Sequence, residues 1–328
     1  MSDLALAAYA AETGAHLVRP PNDRRWRAFS RGFDARSFLE RLRASGVGWI
    51  GRGEPGFPPL LAEIHDPPPG LFVRGAGDWD LLARPSVAIV GARSCSPYGS
   101  QVARAGAREL AAAGLVVVSG LARGIDGEAH RGALEAAGGL TIAVLGCGID
   151  RDYPASHREL AARITERGLI VSEYAPGVEP APWRFPARNR IVAGIARATV
   201  VVEARERSGA LITADFALEQ GREVFAVPGE ITSALSAGAN ALLALGACPY
   251  TSSHDVLEAL GVDAPSVPAI ELGADAALVL ERLREVAAGA DELQHSTGLD
   301  AGALAAALTE LELVGAAAQE GGVFRASG

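Results

Sequence analysis

The sequence predicts a doubly wound α/β core, preceded by a small helical region and followed by a winged-helix-shaped tail. Three observations lead there. Short apolar runs without period-two alternation recur between residues 86 and 227, the pattern of strands buried on both faces of a parallel sheet. Helix-length segments alternate with those runs. Glycine-containing turns follow one strand after another.

The elements follow in order. Residues 3–14 and 36–44 read as helices, and Gly46, Gly48, Gly51 and Gly53 interrupt the pattern. Asp66-Pro67-Pro68-Pro69-Gly70 is a rigid turn before a short strand at 71–75. Core strands are expected at 86–90, 115–118, 140–145, 169–172, 199–203 and 222–227. Core helices are expected at 99–113, 126–137, 156–167, 191–196, 211–220, 238–245 and 255–260. Residues 263–273, with Pro265 and Pro268, read as a linker. Helices at 274–288, 291–296 and 302–313, then a Gly321-Gly322 turn before 323–325, give the tail its shape. The expected domains are 1–80, 81–262 and 270–328.

The 328 residues are 49% hydrophobic and 21% charged, a globular rather than a disordered composition. No apolar run reaches the roughly 20 residues of a bilayer span, and the first residues lack the basic flank of a signal peptide. Cys95, Cys147 and Cys248 are too widely spaced for a metal pattern or a disulfide framework. A cytoplasmic location is expected. The net charge of −9 is uneven: residues 1–84 and 85–228 each carry +1, and residues 229–328 carry −11. There is no lysine, so all 30 fixed side-chain cations are arginines. Any anion site therefore uses planar, multi-donor forks. An acidic total confines nucleic acid to a local patch and does not exclude it.

Five loops carry candidate chemistry. Gly91-Ala92-Arg93-Ser94-Cys95-Ser96-Pro97-Tyr98-Gly99 joins a strand to a helix, where an open α/β sheet places an anion. Arg93, Ser94 and Ser96 supply donors. The G-x-G-x-x-G fingerprint is absent, which disfavours a dinucleotide cofactor. Ser119-Gly120-Leu121-Ala122-Arg123-Gly124-Ile125-Asp126 repeats the arrangement: Gly120 and Gly124 allow close approach, and Arg123 supplies charge. Asp126 and His130, four residues apart, are either an acid–base pair or a structural one. Asp150 and Asp152, in the third loop, lack a third carboxylate at matching spacing, so no metal is expected. In the fourth, Asn189 lies between Arg188 and Arg190, with Trp183 and Phe185 nearby. Phosphate contact with base stacking and internal ion pairing are equally open there. In the fifth, Ser208 and Gly209 stand at the mouth of a helix, beside Arg205. No Ser–His–Asp set or G-x-S-x-G elbow appears. So many anion-friendly strand ends suit a polyanion crossing the sheet edge better than one small substrate.

The matching text is GARSCSPYG at 91–99, SGLARGID at 119–126, VLGCGIDRDYP at 144–154, FPARNRIVAG at 185–194, VVVEARERSGALITADFALEQGREVFAVPG at 200–229 and SAGANALLALGA at 236–247. In this order and spacing the chain resembles the DNA-processing proteins of the DprA (Smf) family, over about residues 55–255. The resemblance implies an extended Rossmann-like core between a small helical domain (SAM-like or helix-hairpin-helix-like) and a winged helix. It implies a non-enzymatic single-stranded DNA binder and homodimer. Such a protein protects incoming DNA and loads a RecA-type recombinase past single-strand-binding protein during natural transformation. The implied DNA-binding residues are Gly91, Arg93, Ser94, Ser119, Gly120, Arg123, Gly124, Arg188, Asn189 and Arg190, with no catalytic residue and no cofactor. Some relatives have a basic residue after the Tyr-Pro pair. Ala155 stands there in this chain, with Arg151 and Arg158 as substitutes, and His157 reads as a surface or base-edge residue.

The 302–313 helix contains no Arg and carries Glu310 and Glu312, so the tail is expected to bind protein, or its own chain, rather than DNA. Gly46-x-Gly48 is a candidate phosphate clasp. The alternative function is a nucleoside monophosphate phosphoribohydrolase, whose Pro-Gly-Gly-x-Gly-Thr-x-x-Glu loop is incomplete at 208–213, with Glu219 displaced.

Overall fold

The computed structural model describes residues 2–14, 19–263, 272–320 and 322–326. Two compact units divide at Ala264/Pro265. In the first, helices α1 (Ser2–Thr13), α2 (Arg24–Gly32) and α3 (Ala35–Ala44) precede strand β1 (Gly48–Gly51), the short α4 (Pro59–Ala62) and β2 (Gly70–Arg74). The alternating core follows: β3 (Ser86–Val90), α5 (Pro97–Ala112), β4 (Val116–Ser119), α6 (Ile125–Glu135), β5 (Thr141–Val144), α7 (Arg158–Arg167) and β6 (Leu169–Ser172). It continues with α8 (Arg184–Ile195), β7 (Ala198–Val201), α9 (Gly209–Glu219), β8 (Glu223–Ala226), α10 (Ala237–Ala244), β9 (Cys248–Pro249) and α11 (Ser253–Leu260).

These strands form one nine-stranded sheet in the order β1-β2-β6-β5-β4-β3-β7-β8-β9. Strands β6 to β9 in that order pair parallel, and β1 and β2 close one edge antiparallel. The central strands are buried on both faces, which is why their sequences do not alternate. Residues of α4, α8, α9 and α10 cover one face; α5, α6 and α11 cover the other. The chain runs outward from β3 through β4, β5 and β6, then restarts at β7 on the other side of β3. The carboxyl ends of β3 and β7 therefore define a topological switch point, where ligands of doubly wound sheets bind.

The first eighty residues are more than helices. Strands β1 and β2 extend the main sheet, and Gly48–Gly51 is strand where the sequence showed only glycine breaks. The glycines make room for aromatic rings: a Cβ on Gly48 would fall 2.2 Å from Trp79, and one on Gly70 2.3 Å from Trp49. The expected clasp at Gly46-x-Gly48 thus becomes the entry to a strand.

The second unit holds α12 (Ala274–Glu285), β10 (Ala288–Gly289), α13 (Ala290–Thr297), α14 (Ala301–Leu313), β11 (Ala317–Glu320) and β12 (Val323–Ala326). Its three strands pair antiparallel in the order β10-β12-β11. With three helices around Leu283, Leu293, Leu308, Leu311 and Phe324, this is a winged helix. Residues 264–271 of the expected linker, and Gly321 of the expected turn, lie outside the described residues. Among the described residues no helix is long and apolar enough to cross a membrane.

Candidate nucleic-acid interface

A cleft of about 350 Å³ opens beyond the carboxyl ends of β3, β4 and β7. Gly91, Arg93 and Ser94 line it after β3, Gly120 and Asp126 after β4, Phe185, Arg188 and Asn189 from α8, and Arg205, Ser208 and Gly209 after β7. Arg93 and Ser94 are exposed. The Arg93 guanidinium lies over the Phe185 ring at 5.4 Å. Phe185 in turn stacks on Tyr153, centroids 5.2 Å apart. This ladder leads to an adjoining cleft of about 190 Å³ lined by Arg123, Tyr153, Pro154 and Ser156. Arg123 thus supplies a cation near the Tyr153–Pro154 pair, where Ala155 cannot. Arg151 pairs with Glu179 at 2.7 Å.

Several backbone N–H groups at the first two loops are already bonded to acceptors within the chain. Ser96 caps α5, its Oγ accepting from Gly99 N at 3.0 Å. Glu203, 3% exposed beyond the end of β7, accepts from Ser96 N at 2.9 Å and from Ser96 Oγ. The favourable anion position at the α5 N-terminus is occupied by an internal carboxylate. In the second loop Asp126 Oδ2 accepts from Gly120 N at 3.1 Å and Ala122 N at 3.3 Å. Burial raises the Asp126 pKa above the ordinary carboxylate value, while Arg188, those N–H groups and Arg93 oppose the rise.

Gly124 sits at φ +73°, and a Cβ there would fall 2.2 Å from the Ala92 carbonyl oxygen. It joins the two loops, and Ile125 N donates to Ala92 O at 3.2 Å. Ser119 is fully buried and its Oγ donates to Ile89 O at 2.7 Å. It ties β4 to β3 and does not line the cleft.

The four residues expected at 185–190 lie on a helix, which begins seven residues earlier than the 191–196 reading. Pro186 falls in its first turn, where proline is tolerated. Successive helical positions point about 100° apart, so Arg188 and Arg190 diverge. Arg188 is buried at the cleft wall; its Nη1 donates to Gly120 O at 2.7 Å and also to Val144 O. Arg188 Nε donates to Asn189 Oδ1 at 3.2 Å, and Asn189 Nδ2 donates to Gly209 O at 3.0 Å. Burial lowers the Arg188 pKa and Asp126 counters this; an arginine remains a cation throughout. Arg190 is 1% exposed and holds Glu173 in a fork at 2.9 and 2.7 Å, with Asp66 at 3.1 Å. It forms an internal ion pair and does not line the cleft.

The fifth loop adds cleft-lining residues beyond those that the resemblance implies. No side chain caps α9, and among the described residues the buried Ser208 Oγ has no hydrogen-bond partner. The α9 N-terminus opens on the cleft beside the exposed Arg205. The signal for it was the Ser208-Gly209 pair opening a helix after a strand.

Other readings resolve as structure. Asp150 accepts from Gly177 N at 2.9 Å, and Asp152 pairs with Arg74 at 2.5 Å. Among the described residues no cluster could hold a metal ion. His157 is buried, its Nδ1 3.0 Å from Leu121 O, rather than at the surface. His130 faces Thr141 at 2.7 Å while Asp126 serves the loop, so the acid–base pair does not form. Glu219 lies ten residues along α9 from Gly209, roughly 15 Å at 1.5 Å per residue, and does not line the cleft. The phosphoribohydrolase arrangement is not assembled.

An arginine-and-aromatic cleft at the switch point of a doubly wound sheet is the ligand-site arrangement of an open α/β protein. Residues 49–261 match the family model for DNA recombination-mediator protein A, and residues 263–323 match that for the DprA winged helix domain. The chain belongs to the DNA recombination-mediator protein A family, known as DprA or Smf. It is 48% identical over 201 residues to the DNA processing protein DprA of Streptococcus pneumoniae, covering 61% of this chain and 70% of that protein. It is 40% identical over 223 residues to the Bacillus subtilis DprA, covering 68% and 74%. The solved S. pneumoniae DprA superposes with a TM-score of 0.67 at 38% identity, covering 79% of this chain and 93% of that one. DNA processing protein A from Helicobacter pylori, described for its single-stranded DNA binding mode, gives 0.58 at 32% identity, covering 65% and 95%.

Proposed function

We propose that this protein is a non-enzymatic single-stranded DNA-binding recombination mediator, which protects incoming DNA and loads a RecA-type recombinase during natural transformation. The single observation that carries the DNA-binding part is the ladder of Arg93, Phe185 and Tyr153 beside Arg188. Cations track phosphates, and rings take unstacked bases. Duplex bases cannot reach such rings without unpairing, so single strands are preferred. Gly91, Arg93, Ser94, Gly120, Arg123, Gly124, Arg188 and Asn189 form or frame the proposed site, and Arg205, Ser208 and Gly209 join them. Ser119 and Arg190 support it from behind.

The protein acts as a homodimer in this reading. Leu218 and Leu245, 56% and 85% exposed on α9 and at the end of α10, would be covered by a second copy. Two clefts on one strand raise effective concentration. Recombinase and single-strand-binding protein are partners in the cytoplasm. The winged helix, with no Arg on α14, contacts protein rather than DNA. The three-part division at about residues 80 and 262–270 is kept as a proposal about folding units.

Fluorescence anisotropy of labelled single- and double-stranded oligonucleotides across salt tests the reading. Single strands bind more tightly, and Arg93→Ala lowers the salt slope by about 0.7, one single-strand phosphate. Equal affinity for duplex, or an unchanged slope in Arg93→Ala, overturns it.

A further inference from the structure

The α2–α3 segment stands apart from the rest of this acidic chain. Residues 24–44 carry seven arginines against Asp34 and Glu40, within a protein of net charge −9. Helix α2 holds four of those arginines and no acid. Its inner face is fixed by aromatic packing: Trp26 meets Tyr9 at 5.4 Å, and Phe29 stacks on Phe33 at 5.5 Å. Asp23 caps the helix, accepting from Trp26 N at 2.7 Å. With that face buried, Arg24, Arg27 and Arg31 fall at i, i+3 and i+7, one stripe on the opposite side. All three are exposed. Their hydrogen bonds run only to Asn22 Oδ1 and to the Arg27 carbonyl, and among the described residues none has an ionic partner. A solubilising face usually mixes signs; this one does not.

The stripe borders a groove. Ala28 and Gly32, next around the helix from Arg24 and Arg31, line a depression of about 640 Å³ with Phe29, Phe33, Phe38 and Arg41. Its opposite wall is the loop Ala175–Val178, which follows β6 at the same carboxyl edge that bears the cleft. Strand β6 lies three strand spacings from β3, roughly 14 Å at about 4.8 Å each. The groove also contains Glu12 and Asp34. Asp34 is held by Ser37, whose hydrogen bonds lower its pKa. These carboxylates keep phosphates off the floor and on the arginine rim.

We infer that the outward face of α2, through Arg24, Arg27 and Arg31, is a second phosphate-contacting surface that extends the path of a single strand beyond the cleft. The inference rests on the proposed single-strand binding. It requires length dependence: a short oligonucleotide fills the cleft alone, and a long one reaches α2.

The test is the triple variant Arg24→Glu/Arg27→Glu/Arg31→Glu in the full chain, with anisotropy on about 6- and about 30-nucleotide probes, the shorter within the site size of one binding module. The expected result is at least tenfold weaker binding of the long probe, a salt slope lower by about 2 for three lost phosphates, and unchanged binding of the short probe. Arg93→Ala weakens both lengths. An unchanged long-probe affinity and slope in the triple variant overturns the second surface, and so does an equal loss on both probes. The Arg→Gln triple variant, which removes charge without reversing it, must show the same length-dependent loss at smaller size; no loss there also overturns it. If Arg93→Ala leaves both lengths unaffected, the cleft reading fails instead.

Discussion

The Arg188 guanidinium occupies the space that a side chain at residue 120 would need: a Cβ on Gly120 would lie 2.4 Å from Arg188 Nη2. The glycine that ends β4 is therefore a seat for a cation carried by α8.

Gly120→Ala tests that seat. Overpacking of this kind costs about 1–3 kcal/mol, and the folded variant holds Arg188 displaced. Single-strand affinity is expected to fall at least tenfold, with the far-ultraviolet circular dichroism unchanged. Retained affinity would show that Arg188 has no part in binding.

Phe185→Ala separates stacking from charge. The ring contacts both Arg93 and Tyr153. Its loss should cost about 1–3 kcal/mol of affinity, the worth of one base–aromatic contact, with the salt slope intact. A drop in slope similar to that of Arg93→Ala would mean the ring serves only to hold the guanidinium.

Arg190→Ala should damage folding rather than binding. Removing the guanidinium takes away the fork that holds the buried Glu173 carboxylate, with a loss of about 3–5 kcal/mol. Denaturant titration measures this. Protein that remains folded should keep its salt slope, because Arg190 does not face the cleft.

His130 makes stability depend on acid. Thr141 Oγ1 donates to Val117 O at 2.7 Å, so its lone pair receives the His130 Nδ1 proton. Among the described residues the buried Nε2 has no hydrogen-bond partner. Burial, helped by the charges of His157, Arg188 and Arg131, depresses the His130 pKa to about 3. The unfolded chain takes up this proton first, near the ordinary value of 6.5. Stability is therefore present above that value and is lost as pH falls towards the folded pKa. The contribution is about 1.4 kcal/mol per pH unit. His130→Gln should lose about 2 kcal/mol less than the parent between about pH 7 and pH 5, read from denaturant midpoints. Identical losses would place the acid sensitivity elsewhere.

Much of the core was legible because its signals are local. The run Val116-Val117-Val118 ends at Ser119-Gly120, and each such strand announces its own loop. What lay hidden depends on distant residues. Ser96 and Glu203 are 107 positions apart, and nothing near either one marks the carboxylate as the partner of the α5 cap residue. Residues 184–190 resembled a loop because proline and arginine interrupt the apolar period; as a helix they send Arg188 and Arg190 opposite ways. The strand at Gly48–Gly51 was obscured because Gly48 answers to Trp79, far along the chain.

Glu203 and Asp126 have a consequence for competition inside a cell. A free dinucleotide would need to lay its pyrophosphate against the first two turns, where amides already serve carboxyl groups of the chain's own. Those amides are the groups that dinucleotide enzymes offer at this edge, and here they are already engaged. On the proposed reading, a long strand would pass over those two stations and settle on the arginines between them.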